Sequence, residues 1–202
     1  MVSKRVKKRE NFLAEQYFKS FSYLNESKNF IFSIVLVFLF FVMIGFIVPV
    51  PDEIRTQIFN YLQELIEKTE NFDSAGDWIG FLLLNNLLSS FLGMIFGFLL
   101  GVYPLIGAIA NGYIVGFVSY LSVSEGGILS LWRLFPHGIF ELPALFISLG
   151  LGLKFGTFLF QREKGKSFVN YLINSLRVFV FVVLPLLIVA AIIEGYLIFL
   201  SV

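Results

Sequence analysis

Residues Phe30 to Val48 contain no charge and no proline. A helix of about 20 apolar residues crosses the hydrocarbon core of a bilayer, so this run is long enough to span it. In lipid every backbone N–H and C=O must be paired inside the segment, which makes such a run a helix. Comparable runs recur at about 78–100, 104–123, 136–160 and 170–200. The chain is 57% hydrophobic and only 14% charged, with a mean hydropathy of +0.85. Soluble domains carry about a quarter charged residues. The expected class is an all-α, polytopic integral membrane bundle of about five transmembrane helices, occupying residues 30–202. Cysteine is absent, which excludes disulfides and thiolate chemistry.

The segments between the runs set the orientation. Residues 1–29 form a basic amphipathic arm, in which Lys4, Arg5, Lys7, Lys8, Arg9, Lys19 and Lys28 outnumber Glu10, Glu15 and Glu26. Phe12, Leu13, Tyr17, Phe18, Phe21 and Leu24 recur there at helical spacing, which fits a helix on the membrane surface as well as a plain orientation signal. The arm is too long and too basic for a cleaved signal peptide, so the first run is expected to stay as a span. Pro49 and Pro51 end that run. Residues 52–76 are acidic, with a helical apolar period at Ile54, Ile58, Tyr61, Leu62 and Leu65, and read as an amphipathic helix outside the membrane. The loop 161–166 is basic again. Five spans put both basic segments on one side, so the positive-inside rule gives a cytoplasmic N-terminus and an extracytoplasmic C-terminus in a cell membrane.

Within the spans, Gly93, Gly97 and Gly101 lie on one helical stripe and Gly112 and Gly116 on another, which predicts close helix packing, and Pro136, Gly138 and Pro143 are expected to be packing positions as well. Residues 128–160 are too long for one straight span. Residues 128–135 are therefore expected to be an interfacial or re-entrant piece, with the helix proper starting near Pro136, a favoured first-turn residue. Pro185 predicts a kink in the last span.

The stretch Leu134-Phe135-Pro136-His137-Gly138-Ile139-Phe140-Glu141-Leu142-Pro143-Ala144 holds the only histidine, and one of two carboxylates lying inside apolar sequence, the other being Glu194. His137 and Glu141 are four apart and share one helix face. Pro143 cannot donate to the Ile139 carbonyl, which leaves that acceptor free. Glu141 lies about 20 Å from Lys154 along a helix, Asn86 about 12 Å from Trp78 and Asn111 about 10 Å from Pro104. These spacings put His137, Glu141, Asn86 and Asn111 at overlapping depths, as one buried polar site beneath the outer surface.

Three chemistries fit such a site. It can be a hydrogen-bonded lock that fixes helix packing. It can bind a divalent metal at His137 and Glu141, or a proton, and serve transport or export of a cation or small polar solute. As a remote third reading it can be a metal-dependent hydrolase, although the helical H-E-x-x-H pattern is missing and a zinc site would have to recruit Glu194 or another acid. No complete catalytic constellation is present, so an enzyme is not expected.

The Phe135–Ala144 block resembles the signature of the stage II sporulation protein M (SpoIIM) family. Asn85-Asn86, the Gly97…Gly101…Pro104 spacing and Asn111-Gly112-Tyr113…Gly116 are similar to other marked positions of that family. The resemblance covers roughly residues 30–200 and is nearest to archaeal members. In spore formers the family member is a multi-pass scaffold that recruits peptidoglycan-remodelling partners during engulfment, with no established catalytic residue. The resemblance implies a membrane scaffold or assembly factor, and it implies importance for His137 and Glu141 without fixing their chemistry. The expected partners are the lipid bilayer, other membrane proteins and a second copy in a homodimer; no nucleic-acid partner is expected.

Overall fold

The structure, a computed structural model, describes residues 2–48 and 51–201; the side chains of residues 2–10, 132–137 and 201 fall outside that description, as do Pro49 and Val50 entirely. Seven α-helices follow one another: α1 Val2–Ile47, α2 Asp52–Thr69, α3 Ala75–Ile95, α4 Val102–Gly126, α5 Phe135–Gly156, α6 Lys164–Val178 and α7 Leu184–Ser201. Short 3-10 turns at Phe96–Phe98, Ile128–Leu134 and Thr157–Phe160 join or extend them, and a π-helical turn at Phe179–Val183 links α6 to α7. Five of the resulting helical stretches are long and apolar enough to cross a membrane.

Local chemistry explains the boundaries. Helix α3 starts with a capping box. The Ser74 hydroxyl accepts from the Asp77 N–H at 3.3 Å, and the Asp77 carboxylate accepts from the Ser74 N–H at 3.0 Å. Two of the unpaired first-turn donors are thereby satisfied. Between α3 and α4 the chain reverses through Leu100 and Gly101, at φ 56° and 72°. Gly101 meets that left-handed requirement at no steric cost, whereas Leu100 carries strain. Residues 128–134 form a 3-10 turn that runs directly into α5, whose first residue is Phe135. In α7, Pro185 has no N–H for the carbonyl four residues back, and the preceding π-helical turn absorbs the mismatch.

The arm and the first span share one helix. No interruption separates residues 2–29 from 30–47, so the basic segment is a continuation of the spanning helix.

Helix α5 is the centre of the bundle. Its span is 56% buried, against 33% or less for the other four. It packs on α1, α3, α4, α6 and α7. Two apolar clusters meet on it. Tyr23, Met94, Ala144, Leu151, Val178 and Phe179 belong to one, and Ile34, Ala108, Leu145 and Leu149 form the other.

Helices close on one another through glycine. A Cβ at Gly152 would collide with the Gly93 carbonyl, so α3 and α5 touch main chain to main chain, and the contact continues past the end of α3 with Gly97 against Gly152 and Gly101 against Gly156. The α1–α4 seam is built likewise, with Gly45 against the Tyr113 carbonyl, Gly112 against Phe38 and Gly116 against Val42. Gly138, in contrast, has room for a Cβ, its nearest neighbour being Leu142 at 3.5 Å. In lipid, association rests on such van der Waals contact, because the tails are as apolar as the side chains.

One prediction follows from this seam. Gly97→Ala forces the α3–α5 backbones apart and destabilises the fold by about 1–3 kcal/mol, the usual range for overpacking. Gly80 has open space where a Cβ would stand, with no neighbour within 4 Å, so Gly80→Ala leaves stability unchanged or raises it. Thermal unfolding of both variants in detergent checks the contrast.

Candidate functional site

The motif segment opens the central helix. His137 and Glu141 lie in the first turns of α5, so their backbone positions share one face. The His137 side chain is outside the described residues, as is that of Pro136. Glu141 is half-buried. Pro143 sits inside α5. One turn and two turns further along the Glu141 face come Ala144 and Ser148, both fully buried. The Ser148 hydroxyl has no partner among the described residues.

Contacts between helices give the depths of the other polar groups. Helices α3 and α5 run in the same direction, and Gly93 abuts Leu149. Seven residues back along each lie Asn86 and Leu142, so Asn86 is level with the Glu141 turn. Helix α4 runs the other way, and Gly107 also abuts Leu149. Asn111 therefore lies at the depth of Leu145, about 6 Å along the axis from Glu141. Asn86 and Asn111 are both half-buried. The Asn86 amide oxygen accepts from Asn85 Nδ2 at 3.5 Å, while Asn111 Nδ2 donates to the Gly107 carbonyl of its own helix at 2.8 Å. Asn111 thus spends one amide proton locally.

Glu194 joins this end of the bundle. It is 3% exposed, and its neighbour Gly195 packs against Ile79 near the start of α3. That contact places Glu194 level with the first turn of α5, on a helix that packs against α5. Glu194 thus lies at the depth of the turn that carries the His137 backbone, with Glu141 one turn further along α5. Among the described residues no three histidine, cysteine or acidic side chains converge as a metal-binding group, and that description does not include the His137 side chain.

A second polar constellation lies at the opposite end of α5. Lys154 is only 7% exposed. Its ammonium donates to Ser27 Oγ at 3.1 Å, lies 3.6 Å from the Glu26 carboxylate and sits over the Tyr23 ring at 3.8 Å. Tyr171 of α6 offers a second ring at 5.7 Å. A lysine can be buried in this way because its three protons meet a hydroxyl, a carboxylate and an aromatic face. Beside it, Arg177 Nε donates to Gln16 Oε1 at 2.7 Å, and the same guanidinium donates to Asn174 Oδ1. This site ties α1, α5 and α6 together. Sequence reasoning uses Lys154 only as a marker of the helix end. The available signal is a cation set between Leu153 and Phe155 in otherwise apolar sequence; its partners on α1 are more than a hundred residues away and invisible to spacing.

The class that emerges is a helical membrane protein with five helices long and apolar enough to cross a bilayer. Its central helix bears Glu141 towards one end and a buried lysine at the other. The chain belongs to the Stage II sporulation protein M family, whose model matches residues 34–197. It is also 28% identical over 187 residues to Uncharacterized protein MJ0706 of Methanocaldococcus jannaschii, covering 86% of this chain and 83% of that one. No solved structure matches it. The family match takes in α2 to α6, most of α7 and residues 34–47 of α1, but not Gln16, Tyr23 or Ser27.

The lysine site yields a graded expectation. Lys154→Met keeps the packed volume and removes the buried cation, so it changes stability by less than about 1.5 kcal/mol. Lys154→Ala leaves a void among α1, α5 and α6, and costs about 2–5 kcal/mol. Chemical or thermal unfolding of the pair checks this; equal losses would mean that the ammonium itself, rather than its volume, holds the helices.

Proposed function

We propose that the protein is a membrane scaffold or assembly factor of the SpoIIM type, acting as a homodimer or with other membrane proteins rather than as a catalyst. The observation that carries the reading is the manner of closure. The α3–α5 and α1–α4 seams bring main chain against main chain, which suits a body built to hold one shape. Family membership supports the same reading. The His137–Glu141 site, with Asn86 and Asn111, acts in it as a polar lock that fixes how α5 sits among its neighbours. The basic end of the bundle faces the cytoplasm by the positive-inside rule, with the N-terminus inside and the C-terminus outside.

Purified protein in liposomes tests this against transport. Vesicles holding the wild type stay tight to cations, protons and small polar solutes, while Glu141→Gln weakens complex formation or thermal stability. A protein-dependent flux that Glu141→Gln abolishes would replace the scaffold by a transporter. Metal content of the gently purified protein gives a second check. A stoichiometric metal lost in both His137→Ala and Glu141→Gln would turn the lock into a coordination site.

A further inference from the structure

The first half of α1 is amphipathic with its faces reversed. Gln16, Ser20, Tyr23 and Ser27 recur at intervals of three or four and turn inward; Ser20 and Ser27 are fully buried and Tyr23 is 4% exposed. Their partners are polar too, namely Arg177 and Lys154. The outward side carries an apolar stripe edged by exposed Glu15, Lys19 and Ser22. Phe18 is 76% exposed and Phe21 61%, with Leu13 and Tyr17 beside them. Helix α6 likewise buries Ser175, together with Val178, and leaves Val169 and Ile173 exposed beside Lys166 and Asn170. The pair thus buries hydroxyl groups while leaving large apolar side chains uncovered. Two helices that do this together face an apolar phase.

The contacts of α1 place that phase. Ile31 abuts Gly150, and Tyr23 belongs to the buried cluster that includes Leu151. Four residues back on α1 and four further along α5, Ser27 meets Lys154, so α1 and α5 run antiparallel there. Before Ser27 the contacts of α1 pass to α6 and the π-helical turn, where Gln16 meets Arg177. Tyr17 packs edge-on to Phe181 with ring centroids 5.2 Å apart, and Phe179 packs on Phe91, well inside the α3 span. Residues 11–26 therefore run along the bilayer, beside the apolar stretch of the last span.

Charge names the partner. Lys4, Arg5, Lys7, Lys8 and Arg9 precede this segment with Glu10 as the acid beside them, and Arg162, Lys164 and Lys166 surround the start of α6. Basic clusters next to an apolar, lipid-facing helix face are drawn to anionic headgroups. We propose that residues 11–26 and α6 form an interfacial helix pair. It lies at the boundary between headgroups and acyl chains on the basic side of the membrane and takes anionic phospholipid as its partner. This inference rests on the membrane class and is independent of the scaffold role. The segment precedes residue 34, where the family match begins.

The absence of cysteine makes the test clean, since any introduced thiol is unique. Nitroxide labels are placed at Phe18→Cys and Phe21→Cys on the apolar face and at Glu15→Cys and Ser22→Cys on the polar edge. The full chain is reconstituted in nanodiscs of phosphatidylcholine, with and without phosphatidylglycerol. Labels at 18 and 21 collide with oxygen in preference to a water-soluble nickel chelate, and labels at 15 and 22 show the reverse. Phosphatidylglycerol shifts 18 and 21 deeper. That shift is lost when Lys4→Gln, Arg5→Gln, Lys7→Gln, Lys8→Gln and Arg9→Gln are combined. Chelate access at 18 and 21 in both lipids would overturn the proposal. So would spin–spin broadening at those positions that unlabelled protein dilutes away, since a second copy would then cover the face. A depth identical in the two lipids would overturn the anionic partner. All four labelled sites are exposed, so a folded, monodisperse protein is expected in each case.

Discussion

The contact on which the fold depends is the meeting of α3 and α5 at Gly93 and Gly152, continued past the end of α3 by Gly97. In a bilayer, burying leucine or phenylalanine between helices gains little, because lipid tails solvate them equally well. Association must come from shape, and backbone atoms approach only where no Cβ intervenes. The Gly93–Gly152 contact, with Gly97–Gly152 and Gly101–Gly156 beyond the end of α3, fixes α3 on α5. The α1–α4 seam at Gly45, Gly112 and Gly116 fixes the other pair, and Leu145 and Leu149 of α5 join the two halves. The phenylalanine-rich outer faces can then be loosely specified, since lipid accepts any of them.

That closure makes α5 a carrier of polar groups that would be costly elsewhere. An isolated acid or cation in an apolar helix raises its energy in lipid, and a position in the middle of a bundle lets other helices supply partners. Towards one end lie Glu141 and, on α7, Glu194 near the depth of the first turn of α5, with Asn86 level with Glu141. At the other, Lys154 rests on Tyr23, Ser27 and Glu26. The lysine site binds the first half of α1 to the core, and so decides which of its faces meets lipid. Polar chemistry at the centre thus determines the surface presented to the bilayer.

Several elements were legible from local sequence because their causes are local. The five apolar runs and the disturbance before Pro185 depend on length and a missing donor, whereas Gly101, read as part of a helical packing stripe, turns the chain at φ 72° between α3 and α4. The shared face of residues 137 and 141 follows from helical spacing alone. Depth was partly legible: counting along helices puts Asn86 level with Glu141, while Asn111 lies a turn away and bonds within α4. The lysine cluster was not legible, because Ser27 and Lys154 are 127 residues apart and no local pattern joins them.

By itself the sequence determined the membrane class, the number of candidate spans and the family, all carried by hydropathy, helical period and a compact motif. Only the tertiary structure decided that α5 is central, that the glycines form two main-chain seams and that α1 continues unbroken through its basic arm with the polar face inward. Apolar length alone decides whether a segment can cross a bilayer. Which neighbour a helix chooses depends on shape and on partners distant in the chain, and those exist only once the bundle has closed.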